Sequence, residues 1–415
     1  MTTIAADRQV PALILKVGQY PLHSGGLAAV RTLGRLGVPV YAITEDRLTP
    51  MAVSRYCTGR FVWHATGREE PSILAAQLRA IGQRLGRPAV VVPMDDESAV
   101  LLAEHTAELS EYFLFPHIDP ELPRTLASKQ KLYDLCRRHD IPAPVTASPA
   151  TGAELVAFAR QATFPVVVKV AEPWVRRRFP VVAHSSVMES AQELISIAPP
   201  ADAPPNVIVQ EYIPREHAED WFVHLYCDAG SNSLLTFTGV KVRSWPPHAG
   251  ATASAYSASN PELAGLAERL CKEIGFRGIA DLDWRLDKRD GRYKLVDFNP
   301  RVGNQFRIFE TAAGADVVRA LHLDMTGRPV PPEPQVDHRR IVVEHIDLPA
   351  RLSYRGGSGY PSAPPVPRPV STERAWLASD DPLPFLAMWP RLGKPLLEAL
   401  TQFRAQRSRR TQPEK

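Results

Sequence analysis

The sequence predicts a mixed fold, α/β at the start of the chain and α+β beyond it. Three observations carry this. Residues 12–43 read as strand, helix and strand in direct succession. The pattern changes character near Leu122, and from Phe164 to about Thr326 strands dominate. Late in that stretch two acidic strands face each other across a polar turn, from Ala280 to Arg301.

Ala12-Leu13-Ile14-Leu15 is a short apolar strand. Ser24 to Gly37 carries apolar residues at helical spacing, and Val38–Ile43 follows at once, completing a Rossmann-like unit. Gly25 and Gly26 could expose the helix's N-terminal amides to an anion, although their spacing is not the dinucleotide fingerprint. Ala89–Pro93 is a further buried strand that ends in Met94-Asp95-Asp96-Glu97. Ligands bind at that edge of an open α/β sheet, while helix N-capping is the other role open to Asp95 or Asp96.

Past Leu122, Leu126–Cys136 reads as one amphipathic helix, ended by Ile141-Pro142-Ala143-Pro144. A helix over Ala153–Gln161 and a β-forming run Phe164–Val170 follow, and a helix from Pro261 to Ile274 interrupts the later strands. There is no internal repeat. Pro329–Pro334 is a linker, Arg340–His345 is strand-like, and Tyr360–Pro369 is too rich in proline for regular structure. A last helix spans roughly Trp389–Arg404.

With 415 residues, two or three domains with cores are within reach. Hydrophobic content of 44% and charged content of 23% are those of a soluble globular protein. The net charge of +4 is small, and acids match bases through most of the chain, so no nucleic-acid partner is indicated. The basic run Arg404–Arg410 reads as a solvated tail. No apolar stretch reaches the ~20 residues of a membrane-spanning helix, and Met1–Val10 lacks the pattern of a secretory signal. Cys57, Cys136, Cys227 and Cys271 lie far apart, as reduced thiols of a cytoplasmic protein do.

The chemistry gathers on the hairpin. Alternation puts Asp281 and Asp283 on one face of the first strand, with Leu282 and Trp284 on the other. On the second strand Asp297 and Asn299 share a face, and Leu295 follows the same parity. Such oxygens suit Mg²⁺, with substrate phosphates completing its shell, and Arg301 adds a fixed positive charge beside them. Upstream, Lys169 sits among valines, where a lysine needs a partner that a phosphate would supply. Lys129 is a second phosphate contact, with Lys131 as the fallback. Val207–Pro214 is a strand stopped by proline, whose free backbone groups suit a purine edge. Glu219 or Asp220 could accept from ribose hydroxyls. Lys241 and Arg243 share a strand face, a pair of cations fit for an oxyanion or a phosphoryl group in transfer.

The ordered series Lys129, Lys169, Gln210-Glu211-Tyr212-Ile213, Lys241/Arg243, Asp283 and Asp297-Phe298-Asn299-Pro300-Arg301 resembles the ATP-grasp superfamily. The likeness covers roughly residues 10 to 330, and it is greatest to the carboxylate–amine ligase branch. It implies a Rossmann-like preface over residues 1–122, ATP-grasp subdomains over 123–206 and 207–330, and a proline-rich extension over 331–415. It further implies ATP between the two subdomains, with Lys129 and Lys169 on the phosphates. Gln210 to Ile213, Glu211 above all, would take adenine, and Glu219 or Asp220 the ribose. Asp283, Asp297 and Asn299 would hold two Mg²⁺ ions, with Mn²⁺ as a substitute. The choice of Asp283 over Asp281 rests on the resemblance, since parity allows both. Arg301, Lys241 and Arg243 would neutralise the transferring phosphoryl group. One departure is plain: Ala171–Phe179 has no glycine where many relatives carry a glycine-rich loop over the phosphates.

The function expected is a Mg-dependent ligase that turns a small-molecule carboxylate into an acyl phosphate and joins it to an amine. The alternatives are a bicarbonate-using carboxylase and a nucleotide-binding regulatory protein without turnover. Ser24–Gly26, Asp95-Asp96 and Trp245–Thr252 are the substrate-facing segments. A homodimer is left open.

Overall fold

The computed structural model describes residues 4–65, 69–171, 185–247, 250–355 and 367–392. Its first strand, β1 (Ala12–Leu15), is buried along its whole length, as a parallel strand covered on both faces must be. α1 (Ser24–Gly34), β2 (Val40–Thr44), β3 (Gly59–Val62) and α2 (Pro71–Leu85) follow. Then come β4 (Ala89–Pro93), α3 (Asp96–Glu104), the single turn α4 (Thr106–Leu109) and β5 (Phe113–Leu114). The five strands pair in parallel in the order β3-β2-β1-β4-β5, the Rossmann-like unit that the sequence predicts. Strand order reverses between β1 and β4, which opens a crevice at their carboxyl ends.

The helix expected over Leu126–Cys136 is two helices, α5 (Leu122–Ala127) and α6 (Lys129–Arg138). Ser128 lies extended between them, at φ −74° and ψ 121°, and its hydroxyl accepts from the Lys131 amide as the N-cap of α6. That cap places Lys129 at the first position of a helix.

β6 (Thr146–Ala147), α7 (Gly152–Gln161), β7 (Val166–Val170), β8 (Ser185–Met188), α8 (Ala191–Ser196) and β9 (Val207–Glu211) make a small lobe. Its sheet is antiparallel, in the order β6-β9-β7-β8. Val166, Val168 and Val170 pack on Leu155, Ala159 and Leu194 in a core of their own. Lys169, between them, therefore points to the opposite face.

The third sheet has seven strands. β10 (Ala218–Cys227), β11 (Ser233–Trp245) and β12 (Ala251–Ser257) precede α9 (Pro261–Glu273), and β13 (Gly278–Asp287) and β14 (Arg292–Asn299) form the hairpin. α10 (Val317–Met325), β15 (Arg339–Val342), α11 (Glu344–Arg355), β16 (Ser371–Arg374) and α12 (Leu383–Met388) complete the chain. The order is β14-β13-β10-β11-β12-β15-β16, so the segment past 330 supplies two strands to this sheet. One face packs on α6 and α9 through Leu225, Leu282, Trp284, Leu132 and Leu270. The other shares a core with the five-stranded sheet, in which Phe222, Tyr226 and Ile279 meet Ile14, Val90, Val92 and α10. Most of the proline-rich run Tyr360–Pro369, and the expected last helix beyond Leu392, lie outside the described residues. The four cysteines are free, and no helix among the described residues is long and apolar enough to cross a membrane.

The C-terminal segment is clamped to α1 by a buried ion pair. Arg31 Nε lies 2.9 Å from Asp381 Oδ2, and its Nη groups donate to the carbonyls of Ala375, Trp376 and Asp381 at 3.2, 2.8 and 2.9 Å. The Ser54 hydroxyl and the Arg55 amide also donate to Asp381, at 2.7 and 2.9 Å. Removing one member leaves the other buried and uncompensated. Arg31→Ala should therefore cost about 3–5 kcal/mol in denaturant unfolding. A loss below about 1 kcal/mol would mean that the segment is not held by this contact.

Candidate active site

β13 and β14 pair so that Asp283 stands opposite Asp297 and Asp281 opposite Asn299. Leu282 and Trp284 turn to the other face, into the core with Phe298, as alternation requires. Leu295 breaks the expected parity. It is 2% exposed and lies in that same core, not beside Asp297. The reason is a bulge: Asp283 pairs with Asp297 while Trp284 pairs with Leu295, so Val296 is the extra residue and the side-chain alternation inverts across it.

Two carboxylates directly opposite each other repel, and burial adds to the cost of charging them. Lysines from other elements answer this. Lys129, at the start of α6, forms an ion pair with Asp297, and Lys241 in β11 reaches Asp283 at 3.3 Å. Lys169, from the small lobe, interacts electrostatically with Asp297, Lys129 and Asp283. Burial pushes the Asp297 carboxyl up, but Lys129 and Lys169 outweigh it and hold the group below its usual range. Asp283 moves the other way: burial lifts it, Lys241 opposes, and Asp281 and Asp297 add to the rise. Burial pushes Lys169 down to about 8, with Asp297 pulling against it. Lys241 is raised despite its burial, chiefly by Asp283 and Asp220.

Asp281 has a different role. Its Oδ2 accepts from Arg301 Nη1 at 2.8 Å, and its Oδ1 lies 3.0 Å from His224 Nε2 in β10. Burial would raise this carboxyl, yet His224 and Arg301 hold it well below the usual range. Asn299 donates its Nδ2 to the Asp281 carbonyl at 3.1 Å. Asp281 thus anchors Arg301, and Asp283 is the aspartate that faces Asp297. Arg301 also lies 3.5 Å from Asp96 at the end of β4. The Val302 amide donates to the Pro93 carbonyl at 3.1 Å, which seats the loop after β14 on the parallel sheet. Gly303 must be glycine here, since a Cβ would stand 2.2 Å from His224 Cε1 and 2.6 Å from Asp281 Oδ2.

The other predicted residues spread around this centre. Gln210 is buried in β9 and donates to the Thr146 hydroxyl at 2.9 Å. Glu211 pairs with Arg289 at 2.6 Å and lies 3.5 Å from Lys294. Tyr212 and Ile213 follow the end of β9, in the connection from the small lobe to β10. Glu219 pairs with Lys288 and Asp220 with Arg285, both at 2.7 Å. Arg243 gives its Nε and Nη2 to Asp347 of α11, at 3.0 and 2.7 Å, whereas Lys241 turns to Asp283.

At the edge of the parallel sheet the structure selects between alternatives that the sequence leaves open. The start of α1 does not offer the amides of Gly25 and Gly26 to an anion, because Asn304 Oδ1 takes the first at 3.1 Å and His23 Nδ1 the second at 2.9 Å. Asp95 caps α3, accepting from Ser98 at 2.9 Å and from the Val17 and Gly18 amides at 2.9 and 2.6 Å. The glycine-free loop lies outside the described residues from 172 onward. Sequence reasoning missed His224, Gly303, Asn304 and Asp347. The glycine directly after Arg301-Val302 was the one available signal, as a mark of close backbone approach.

The donor set fits magnesium. Asp283, Asp297 and Asn299 are all hard oxygen donors, brought together by strand register. Among the described residues no group of three or more His, Cys, Asp or Glu side chains forms a cage that would bind a metal unaided.

No family model matches the chain. The D-aspartate ligase of Enterococcus faecium is 25% identical over 291 residues, 67% of this chain and 68% of that protein. Among solved structures, an L-amino acid ligase from Bacillus licheniformis superposes with a TM-score of 0.57 at 14% identity, over 77% of this chain and 75% of that one. The biotin carboxylase domain of Hydrogenobacter thermophilus 2-oxoglutarate carboxylase, solved with MgADP and bicarbonate, gives 0.56 at 16% identity, over 77% and 70%. At those identities the two structures speak for the fold alone, and the sequence relationship is to the ligase. The chain is thus similar in sequence to a D-aspartate ligase and shares its fold with an L-amino acid ligase and a biotin carboxylase.

Proposed function

We propose that this protein joins a small-molecule carboxylate to an amine at the expense of ATP, through an acyl phosphate. The observation that carries the reading is the meeting of Asp283 and Asp297 with lysines from three separate elements. On this reading residues 1–122 are the Rossmann-like preface and 123–330 the two ATP-grasp subdomains, with β9 (Val207–Glu211) belonging to the first and not the second, and 331–415 are an extension that adds two strands to the second. Lys129 and Lys169 lie along the phosphates of ATP. Glu211 and the backbone of Tyr212 and Ile213 take the adenine, Gln210 fixes the strand that leads to them, and Glu219 or Asp220 meets the ribose. Asp283, Asp297 and Asn299 hold two magnesium ions, for which manganese can substitute. Bound there, the metal supplies neutralisation of phosphate charge. Cytoplasmic residence and a homodimer belong to the same proposal.

In the first step a carboxylate oxygen attacks the γ-phosphorus and the bond to ADP breaks. In the second the amine nitrogen attacks the acyl carbon, and phosphate leaves with the electron pair of the broken C–O bond. The protein's part is to position these groups and to stabilise spreading charge. Arg301, fixed by Asp281, and Lys241, fixed by Asp283, face the phosphoryl group, with Arg243 behind them on its Asp347 anchor. The relationship to D-aspartate ligase favours an amino acid among the substrates.

The direct test supplies the standard amino acids in both enantiomers, with ATP and Mg²⁺, and follows phosphate release. Release should require all three components, and Asp297→Asn should lower it by about 10²–10³-fold while the protein melts as before. Release driven by bicarbonate alone would place the chain with the carboxylases, and MgADP binding without turnover would make it a regulatory protein. A second expectation concerns pH. Lys169, near 8 through burial, is charged below that value and neutral above it, and phosphate favours the charged form. ADP affinity, measured by calorimetry, should fall by up to about tenfold per pH unit above about pH 8, and Lys169→Arg should flatten that slope. A slope shared by wild type and Lys169→Arg would contradict the assignment.

A further inference from the structure

The crevice at the carboxyl ends of β1 and β4 holds one acid whose role is still open. Open α/β sheets bind ligands where strand order reverses, and here that place faces the loop carrying Arg301. Most polar groups lining it are already engaged. Lys16 is paired with Glu45 and donates to the Tyr20 carbonyl at 2.9 Å. Asp95 is saturated by the amides of Val17, Gly18 and Ser98. His23 accepts from the Gly26 amide on Nδ1, so its Nε2 carries the proton and donates to the Met94 carbonyl at 3.1 Å. Burial pushes that imidazole down to about 3, and it stays neutral.

Asp96 differs. Its Oδ1 is inaccessible to solvent and has no hydrogen-bond partner, with Arg301 Nε 3.5 Å away as its nearest cation contact. Arg301 meanwhile spends its Nη1 on Asp281 at 2.8 Å. Burial raises the Asp96 carboxyl, and of the charged groups around it Arg301 and Lys129 oppose the rise while Asp297 and Asp95 add to it. The Asp96 side chain as a whole keeps 27% of its surface, so a ligand in the crevice reaches the carboxyl group, and N–H groups brought there relieve the cost of an unpartnered carboxylate.

We propose that Asp96 binds the ammonium group of the amine substrate, which makes that substrate a primary amine delivered as a cation, such as an amino acid. The assignment rests on the ligase reading above. It places the nitrogen in the crevice, across Arg301 from the phosphates. The ammonium must shed one proton before its lone pair can form the N–C bond, and the Asp96 carboxylate is placed to receive it. The C–O bond then breaks, and the electron pair leaves with phosphate.

The test compares acceptors. Hydroxylamine is neutral at pH 7 and traps an acyl phosphate as a hydroxamate, so it needs no ammonium site. Wild type and Asp96→Asn are given ATP, Mg²⁺ and the activated amino acid, with either hydroxylamine or the standard amino acids as acceptor. In Asp96→Asn the ratio of amide to hydroxamate should fall at least about tenfold, with a raised acceptor KM, and Asp96→Glu should recover part of it. Equal loss of both products, or of neither, would show that Asp96 only neutralises Arg301 and would overturn the proposal. Absence of hydroxamate from the wild type with every carboxylate would instead strike at the ligase reading itself.

Discussion

Two aspartates that face each other across adjacent strands, largely out of water, set the terms for everything around them. Strand pairing alone would make Asp283 and Asp297 a destabilising contact. The fold tolerates them because cations arrive from elements distant in sequence: Lys129 from a helix start, Lys169 from the small lobe, and Lys241 from a neighbouring strand. Each of these lysines is in turn costly to bury without an acid. The arrangement therefore holds nearly balanced charge that a polyanion and its metal can re-pair at little expense. A site for a metal–nucleotide complex needs this property, since the metal brings positive charge and the phosphates negative.

The bulge at Val296 and the two anchors of Arg301 give that centre its shape. By inverting the alternation, the bulge lets Leu295 and Trp284 close the core on one side while Asp297 still faces Asp283 on the other. Asp281, held by His224 and Arg301, converts what could have been a further metal ligand into a fixed support for a guanidinium. Gly303 permits the close approach, and the Val302–Pro93 hydrogen bond seats this support on the parallel sheet. The candidate site thus draws on both sheets, joined by one continuous core.

Much of this was legible in the sequence, for physical reasons. Period-two alternation exposes the hairpin, valines at alternate positions expose the direction of Lys169, and an apolar run between turns exposes β1 and β4. The rest was hidden for equally physical reasons. An inserted Val beside a Leu leaves the apolar pattern unchanged, so the bulge casts no shadow. Ser128 divides two helices whose apolar stripes run on, and only its N-cap chemistry hints at the break. Arg243 and Lys241 share a strand, yet Asp347, 104 residues later than Arg243, draws the two cations to different partners. Tertiary pairing of that range has no local signature. The amides of Gly25 and Gly26 looked open for the same reason, because Asn304 sits 279 residues beyond Gly25.

The most direct measurement is a crystal structure of the protein with magnesium and a non-hydrolysable ATP analogue. Metal should lie on the oxygens of Asp283, Asp297 and Asn299. Lys129 and Lys169 should contact the phosphates, and adenine should pack against the Glu211–Ile213 connection. Nucleotide seated elsewhere, or phosphates that leave Lys129 on Asp297 and no metal between the aspartates, would contradict this arrangement.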